Sequence, residues 1–113
     1  MKIILLSILL IVNLWGVMTL ETYEKVKNSE EAKAYVIGVG RGVLSTDVFL
    51  SIYKKERLFC LPKDHVEDGN YLLNILNKEI EQNRSKYEND AQIENIMVVA
   101  FMNKYPCLYN LYK

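Results

Sequence analysis

The side chains richest in chemistry are two thiols, Cys60 and Cys107, and a single imidazole, His65. A thiol beside an imidazole can act as a nucleophile and base, and thiols with imidazoles can hold zinc. Neither arrangement is built here. A lone histidine beside a bridged cysteine pair makes a poor metal site, so no metal and no cofactor is expected, and bridging removes the nucleophilic thiol. His65 is read as a surface residue near a helix start. Ser45, Ser51 and Ser85 lack the Gly-x-Ser-x-Gly setting of an activated hydroxyl. The carboxylate pairs Glu30/Glu31 and Glu79/Glu81 are expected on exposed helix faces, where they solvate rather than exchange protons with a substrate. Gly38, Gly40 and Gly42 alternate inside a helical pattern, whereas a dinucleotide fingerprint needs another third spacing and a preceding strand. The residues therefore point away from an enzyme.

What remains of the thiol chemistry is a cross-link. Each cysteine sits beside a proline, in Phe59-Cys60-Leu61-Pro62 and in Tyr105-Pro106-Cys107, where helices start or stop. The first residues supply the redox context. Met1-Lys2 is a short basic region, and residues 3–20 are an apolar run broken by Ser7, Asn13, Gly16 and Thr19. Residues 1–20 read as a secretory signal peptide, with Val17-Met18-Thr19 as the nearest small-residue cleavage candidate. The alternative is an uncleaved anchor, since such a run can just span a bilayer. Export to an oxidising compartment makes the even cysteine pair a disulfide. Closing the intervening loop stabilises the domain by about 4 kcal/mol in the chain-entropy model.

The frame around that cross-link reads as helical. The chain has 113 residues, 50% apolar and 25% charged, with 5 glycines and only 2 prolines, which suits one small helical domain, residues 21–113. Lys plus Arg equals Asp plus Glu at 14 each, so neither nucleic acid nor, once the signal is removed, a membrane surface is an expected partner. Residues 21–27 are read as a loose lead-in. Asn28 with Glu31 forms a capping box for a helix over 29–44, with Ala32, Tyr35, Val36, Val39 and Val43 at helical spacing. Its glycines predict a break near 40–45 and, at Gly38 and Gly42, a close approach of another helix. Residues 47–55 are preferred as helix, although Val48, Leu50 and Ile52 also fit an alternating strand. Asp64 and Glu67 form a second capping box for the clearest amphipathic helix, 65–83, with Leu72, Leu73, Leu76 and Ile80 on one face. Residues 84–90 are a polar loop with one exposed aromatic, Tyr87, and Asn83-Arg84-Ser85 matches a glycosylation sequon. Asn89 or Asp90 caps a last helix through Ile93, Ile96, Met97, Ala100 and Phe101, which Pro106 ends. Tyr109 and Tyr112 in the tail either pack on the domain or serve a dimer contact. The expected fold is all-α, a small bundle of about four helices closed by one disulfide.

Taken together, Tyr35-x-x-Gly38-Val39-x-x-Gly42, Phe59-Cys60-x-Pro62, the helix with Leu72 and Leu76, and Ala100-Phe101-x-x-x-Tyr105-Pro106-Cys107 resemble the Rap/Tai family of periplasmic immunity proteins. The resemblance spans about residues 35–107. It implies a small exported all-helical protein whose disulfide joins the Cys-x-Pro opening to the aromatic-Pro-Cys close. It also implies a partner, a peptidoglycan amidase effector delivered by type VI secretion, which the protein binds and blocks, and it allows a homodimer. The sequence departs from the family at Gln82-Asn83-Arg84, where members often carry Asn-Pro, and at Tyr105, where Phe is more usual. An inhibitor that enters an enzyme cleft needs a rigid, convex, partly polar insert. The loop 84–90 is the candidate, with Arg84, Tyr87, Glu88, Asn89 and Asp90 as effector-contact residues. The competing expectation is a periplasmic acid-stress chaperone, also helical and held by one disulfide. Such a protein needs buried carboxylates that titrate on acidification.

Overall fold

A computed structural model of the chain describes residues 18–62 and 68–107. Within them lie four α-helices: α1 (Leu20–Val26), α2 (Glu30–Tyr53), α3 (Gly69–Asn83) and α4 (Ile93–Lys104), with a 3-10 turn at Arg84–Lys86. The described residues contain no strand beyond an isolated antiparallel bridge between Thr19 and Gln92. The all-α bundle closed by one disulfide is what forms. Helices α2, α3 and α4 pack against one another, and one apolar cluster fills the space between them.

The loose lead-in expected over residues 21–27 is instead a capped helix. Thr19 accepts a hydrogen bond from the Thr22 amide at 3.2 Å, starting α1. Leu20 and Tyr23 share one face and are buried, and the Tyr23 hydroxyl donates to Asn77 Oδ1 at 2.6 Å. The extended residues ahead of α1 are tied to the approach to α4: the Leu20 amide donates to the Ala91 carbonyl at 2.8 Å, and the Ile93 amide to the Met18 carbonyl at 3.0 Å. Met18 is also buried. A chain beginning at Glu21 lacks Leu20, both backbone bonds and the Thr19 cap. It is expected to unfold with about 2–3 kcal/mol less free energy than one beginning at Met18, by denaturant titration of the two forms.

Ser29, not Asn28, caps α2, accepting from the Ala32 amide at 3.2 Å. The break expected near residues 40–45 is absent, and α2 runs unbroken for 24 residues. Burial of Ala32, Val36, Val43 and Leu44 along its inner face offsets the helix-propensity cost of its glycines, at most about 1 kcal/mol each. The close approach falls on the middle glycine rather than on its neighbours. A Cβ at Gly40 would meet Leu72 Cδ2 at 2.9 Å, whereas nothing lies within 4 Å of one at Gly38 or Gly42. Gly38→Ala and Gly42→Ala should each therefore stabilise by up to about 1 kcal/mol. Gly40→Ala should gain little or lose, because Leu72 must move; thermal unfolding of the three variants checks the contrast.

Residues 47–53 are helical, as preferred from sequence. Lys55 adopts a positive φ of 55°, and the Glu56 amide returns to the Leu50 carbonyl at 3.2 Å, turning the chain off the helix. Asp47, 1% exposed, steers the next residues: its Oδ1 accepts from the amides of Leu58 at 2.8 Å and Phe59 at 3.4 Å. Phe59 is thereby seated in the core, stacked on Phe101 with ring centroids 4.7 Å apart. Cys60 comes immediately after. Its amide donates to the Tyr105 carbonyl at 2.8 Å, and its sulfur is bonded to Cys107.

The amphipathic helix starts at Gly69 rather than His65, with Asp68 accepting from the Tyr71 amide at 2.7 Å. The expected capping box of Asp64 and Glu67, and His65 itself, lie outside the described residues, as do residues 1–17 and the tail 108–113. The last helix begins after Gln92, which makes no side-chain cap, and not at Asn89 or Asp90. It buries Ile93, Ile96, Met97, Ala100 and Phe101.

Candidate functional site

The turn after α3 is held from both sides. Arg84, at the C-terminal end of α3, reaches back across the surface to α1: its Nε lies 3.1 and 3.2 Å from the two Glu24 carboxylate oxygens, and its Nη2 lies 3.1 Å from Oε1. The same guanidinium donates to the Tyr87 carbonyl at 3.1 Å and to Asn89 Oδ1 at 2.6 Å. One planar fork thus braces two points of the turn against a neighbouring helix. Tyr87 is half-buried rather than the exposed aromatic expected of a solvated loop, and its hydroxyl donates to Glu79 Oε1 at 2.9 Å.

Glu79 is the centre of this arrangement, against the exposed helix face expected for it from sequence. It is only 6% exposed. Asn83 Nδ2 approaches its two oxygens at 3.0 and 3.1 Å, and Asn103 Nδ2, from α4, at 3.0 and 3.2 Å. A buried carboxylate needs such partners, because desolvation without them is costly. Burial, the bond to Glu79 and the Glu79 charge together raise the Tyr87 phenol above its ordinary pKa of 10.0. The bond therefore contributes fully below that value, and stability is lost as pH rises past it, where the unfolded phenol ionises first. Tyr87→Phe should cost about 1 kcal/mol at neutral pH and flatten the alkaline decline in unfolding free energy.

The expected contact residues therefore divide. Arg84, Tyr87 and the Asn89 side chain are spent on internal bonds, and the Asn89 carbonyl accepts from the Glu21 amide at 3.0 Å. Glu88 and Asp90 face solvent, with Ser85 and Lys86 beside them. The sequon asparagine, Asn83, is half-buried and uses its amide nitrogen on Glu79. The one local sequence clue to the cluster is Asn83, one helical turn beyond Glu79.

Beside the turn, α3 and α4 enclose an open groove of about 780 Å³. Glu79, Asn83 and Asn103 line it with Lys78, Lys86 and Lys104, and Tyr71 and Tyr105 line it too, their hydroxyls 2.7 Å apart. No group of three His, Cys, Asp or Glu side chains among the described residues could hold a metal ion. Elsewhere, the last turns of α2 expose Val48, Phe49, Ile52 and Tyr53, with the Phe49 and Tyr53 rings 4.6 Å apart. This helix is long and apolar enough to cross a membrane by length and composition, and its inner face belongs to the core.

Comparison of the chain with family models, with curated proteins and with solved structures returns no match.

Proposed function

We propose that the chain is a periplasmic immunity protein that binds a type VI secretion amidase effector and occludes its active site. The observation that carries this reading is the bridge. Cys60 and Cys107 are bonded, and the bond joins the Phe59-Cys60-Leu61-Pro62 opening to the Tyr105-Pro106-Cys107 close within an all-helical domain. The braced turn supports the mode of action. Its bonds to Glu24 and Glu79 fix the backbone before any partner arrives, so little ordering entropy is lost on docking. Glu88 and Asp90 are the outward groups, and Arg84 and Tyr87 position them. A second copy on the open Gly38/Gly42 face of α2 is part of the same proposal.

The test is co-purification of the oxidised chain with exported cell-wall amidases, followed by a binding isotherm. A tight complex that abolishes amidase activity is expected. Arg84→Ala or Tyr87→Ala should weaken it by about tenfold or more, as for other changes at a preorganised contact. A tight complex indifferent to both changes moves the interface off the turn. Absence of binding to any amidase sinks the reading.

One observation favours the chaperone alternative. Its expected signature is buried carboxylates, and Asp47 and Glu79 are both buried, the latter contrary to the exposed helix face expected for it. Protection of unfolded clients at low pH, extended to neutral pH by Glu79→Gln, which mimics the protonated carboxyl, would establish that reading.

A further inference from the structure

We infer that the groove between α3 and α4 is a docking site for an acidic polypeptide segment of a partner protein. The inference rests on the reading of the chain as a protein-binding module, not on the partner being an amidase. Lys78, Lys86 and Lys104 line the groove, are exposed, and make no ion pair with a described residue. The one carboxylate lining the groove, Glu79, is buried and already accepts from Asn83, Tyr87 and Asn103. In a chain with equal numbers of acidic and basic residues, this leaves a local excess of positive charge.

The shape of that charge selects its ligand. The three lysines come from three different elements, α3, the turn and α4, that surround the groove. No arginine fork lines it. Lys78 and Glu79 belong to the second half of α3, and Asn103 and Lys104 end α4, so C-terminal helix turns with their partial negative charge border the site. Helix C-termini oppose carboxylate and phosphate alike, and Tyr71 from the first turn of α3 also lines the groove, so the lysines supply the attraction. A string of carboxylates on an extended chain meets each lysine separately. Tyr71 and Tyr105, both half-buried, form part of the groove wall, and the Lys104 ammonium lies 5.7 Å from the centre of the Tyr105 ring.

The experiment titrates the oxidised full chain with end-capped hexaglutamate, following amide chemical shifts and heat, with hexaglutamine as control. Shifts should cluster at Lys78, Asn83, Asn103 and Lys104, and hexaglutamine should not bind. Raising salt from low concentration to about 0.15 M should weaken binding about tenfold, as screening requires. The combined Lys78→Gln, Lys86→Gln and Lys104→Gln variant should lose about tenfold or more in affinity with its melting temperature unchanged, since exposed lysines contribute little to folding. Replacing the same lysines with arginine should retain binding. Undiminished binding by the glutamine variant, shifts centred on Lys54, Lys55 and Arg57, or no binding at all would overturn the inference. So would tighter binding of tripolyphosphate or of an oligonucleotide at the same residues. The two proposals fail separately. Full amidase inhibition by a chain that binds no acidic peptide removes the groove and keeps the immunity reading; peptide binding without any amidase complex does the reverse.

Discussion

Replacing both Cys60 and Cys107 with serine should lower the unfolding free energy by about 4 kcal/mol, equivalent to roughly 20 °C in melting temperature for a domain this small. The bridge spans 47 positions, and releasing it frees a loop of that size in the unfolded ensemble. Small domains hold only about 5–15 kcal/mol in total, so the loss removes a large share of the margin. Guanidinium titrations of the oxidised chain, the reduced chain and the serine variant measure it. A difference under about 1 kcal/mol would mean that the reduced unfolded chain is already constrained, and that the bridge is not what holds the domain together.

Phe59→Ala should cost a similar amount, about 4 kcal/mol, through a different mechanism. The ring is fully buried and lies on Phe101 at an interplanar angle of 20°. Its removal leaves a cavity between the chain leaving α2 and the inner face of α4, and Phe101 cannot fill it alone. Phe59→Leu should cost only about 1–2 kcal/mol, because most of the volume stays. The two losses are not independent. Phe59 precedes Cys60 directly, so once the ring is gone the bridge tethers a segment already loosened, and the triple variant should lose less than the sum. Additivity within about 0.5 kcal/mol would show that the ring and the bridge act separately.

These two groups are partly legible in the sequence. The prolines beside each cysteine, with the export expected from residues 1–20, point to the bridge. The spacing of Leu72, Leu76 and Ile80, and of Ile93, Met97 and Phe101, points to α3 and α4, because periodicity reports a buried face directly. Anything decided by a distant neighbour stays hidden. Gly38, Gly40 and Gly42 look alike to a propensity scale, and only the position of Leu72 separates the packed one from the two open ones. The first helix is masked because Leu20 closes an apolar run that reads as an export signal, although it also packs into the core. Glu79 reads as solvent-facing because two of its three partners, Tyr87 and Asn103, lie 8 and 24 positions away. Asp47 gives no local sign of its role for the same reason, since the amides it accepts from lie 11 and 12 positions further on. Helix faces are local information; polar satisfaction in a small core is not.

The clamp at Asp47 has a consequence for how the protein matures. Its carboxylate and the stacked Phe59 ring fix the backbone just before Cys60, and the Cys60 amide is bonded to the carbonyl two residues before Cys107. None of these contacts involves sulfur. A chain that folds while still reduced brings its thiols side by side, at an effective concentration far above that of any competing thiol in solution. With no third cysteine in the sequence, there is no wrong pairing to undo. Oxidation then needs only an electron acceptor for two thiols already in place: one thiolate forms a mixed disulfide with an oxidised acceptor, and the other displaces the acceptor's thiol, without isomerisation.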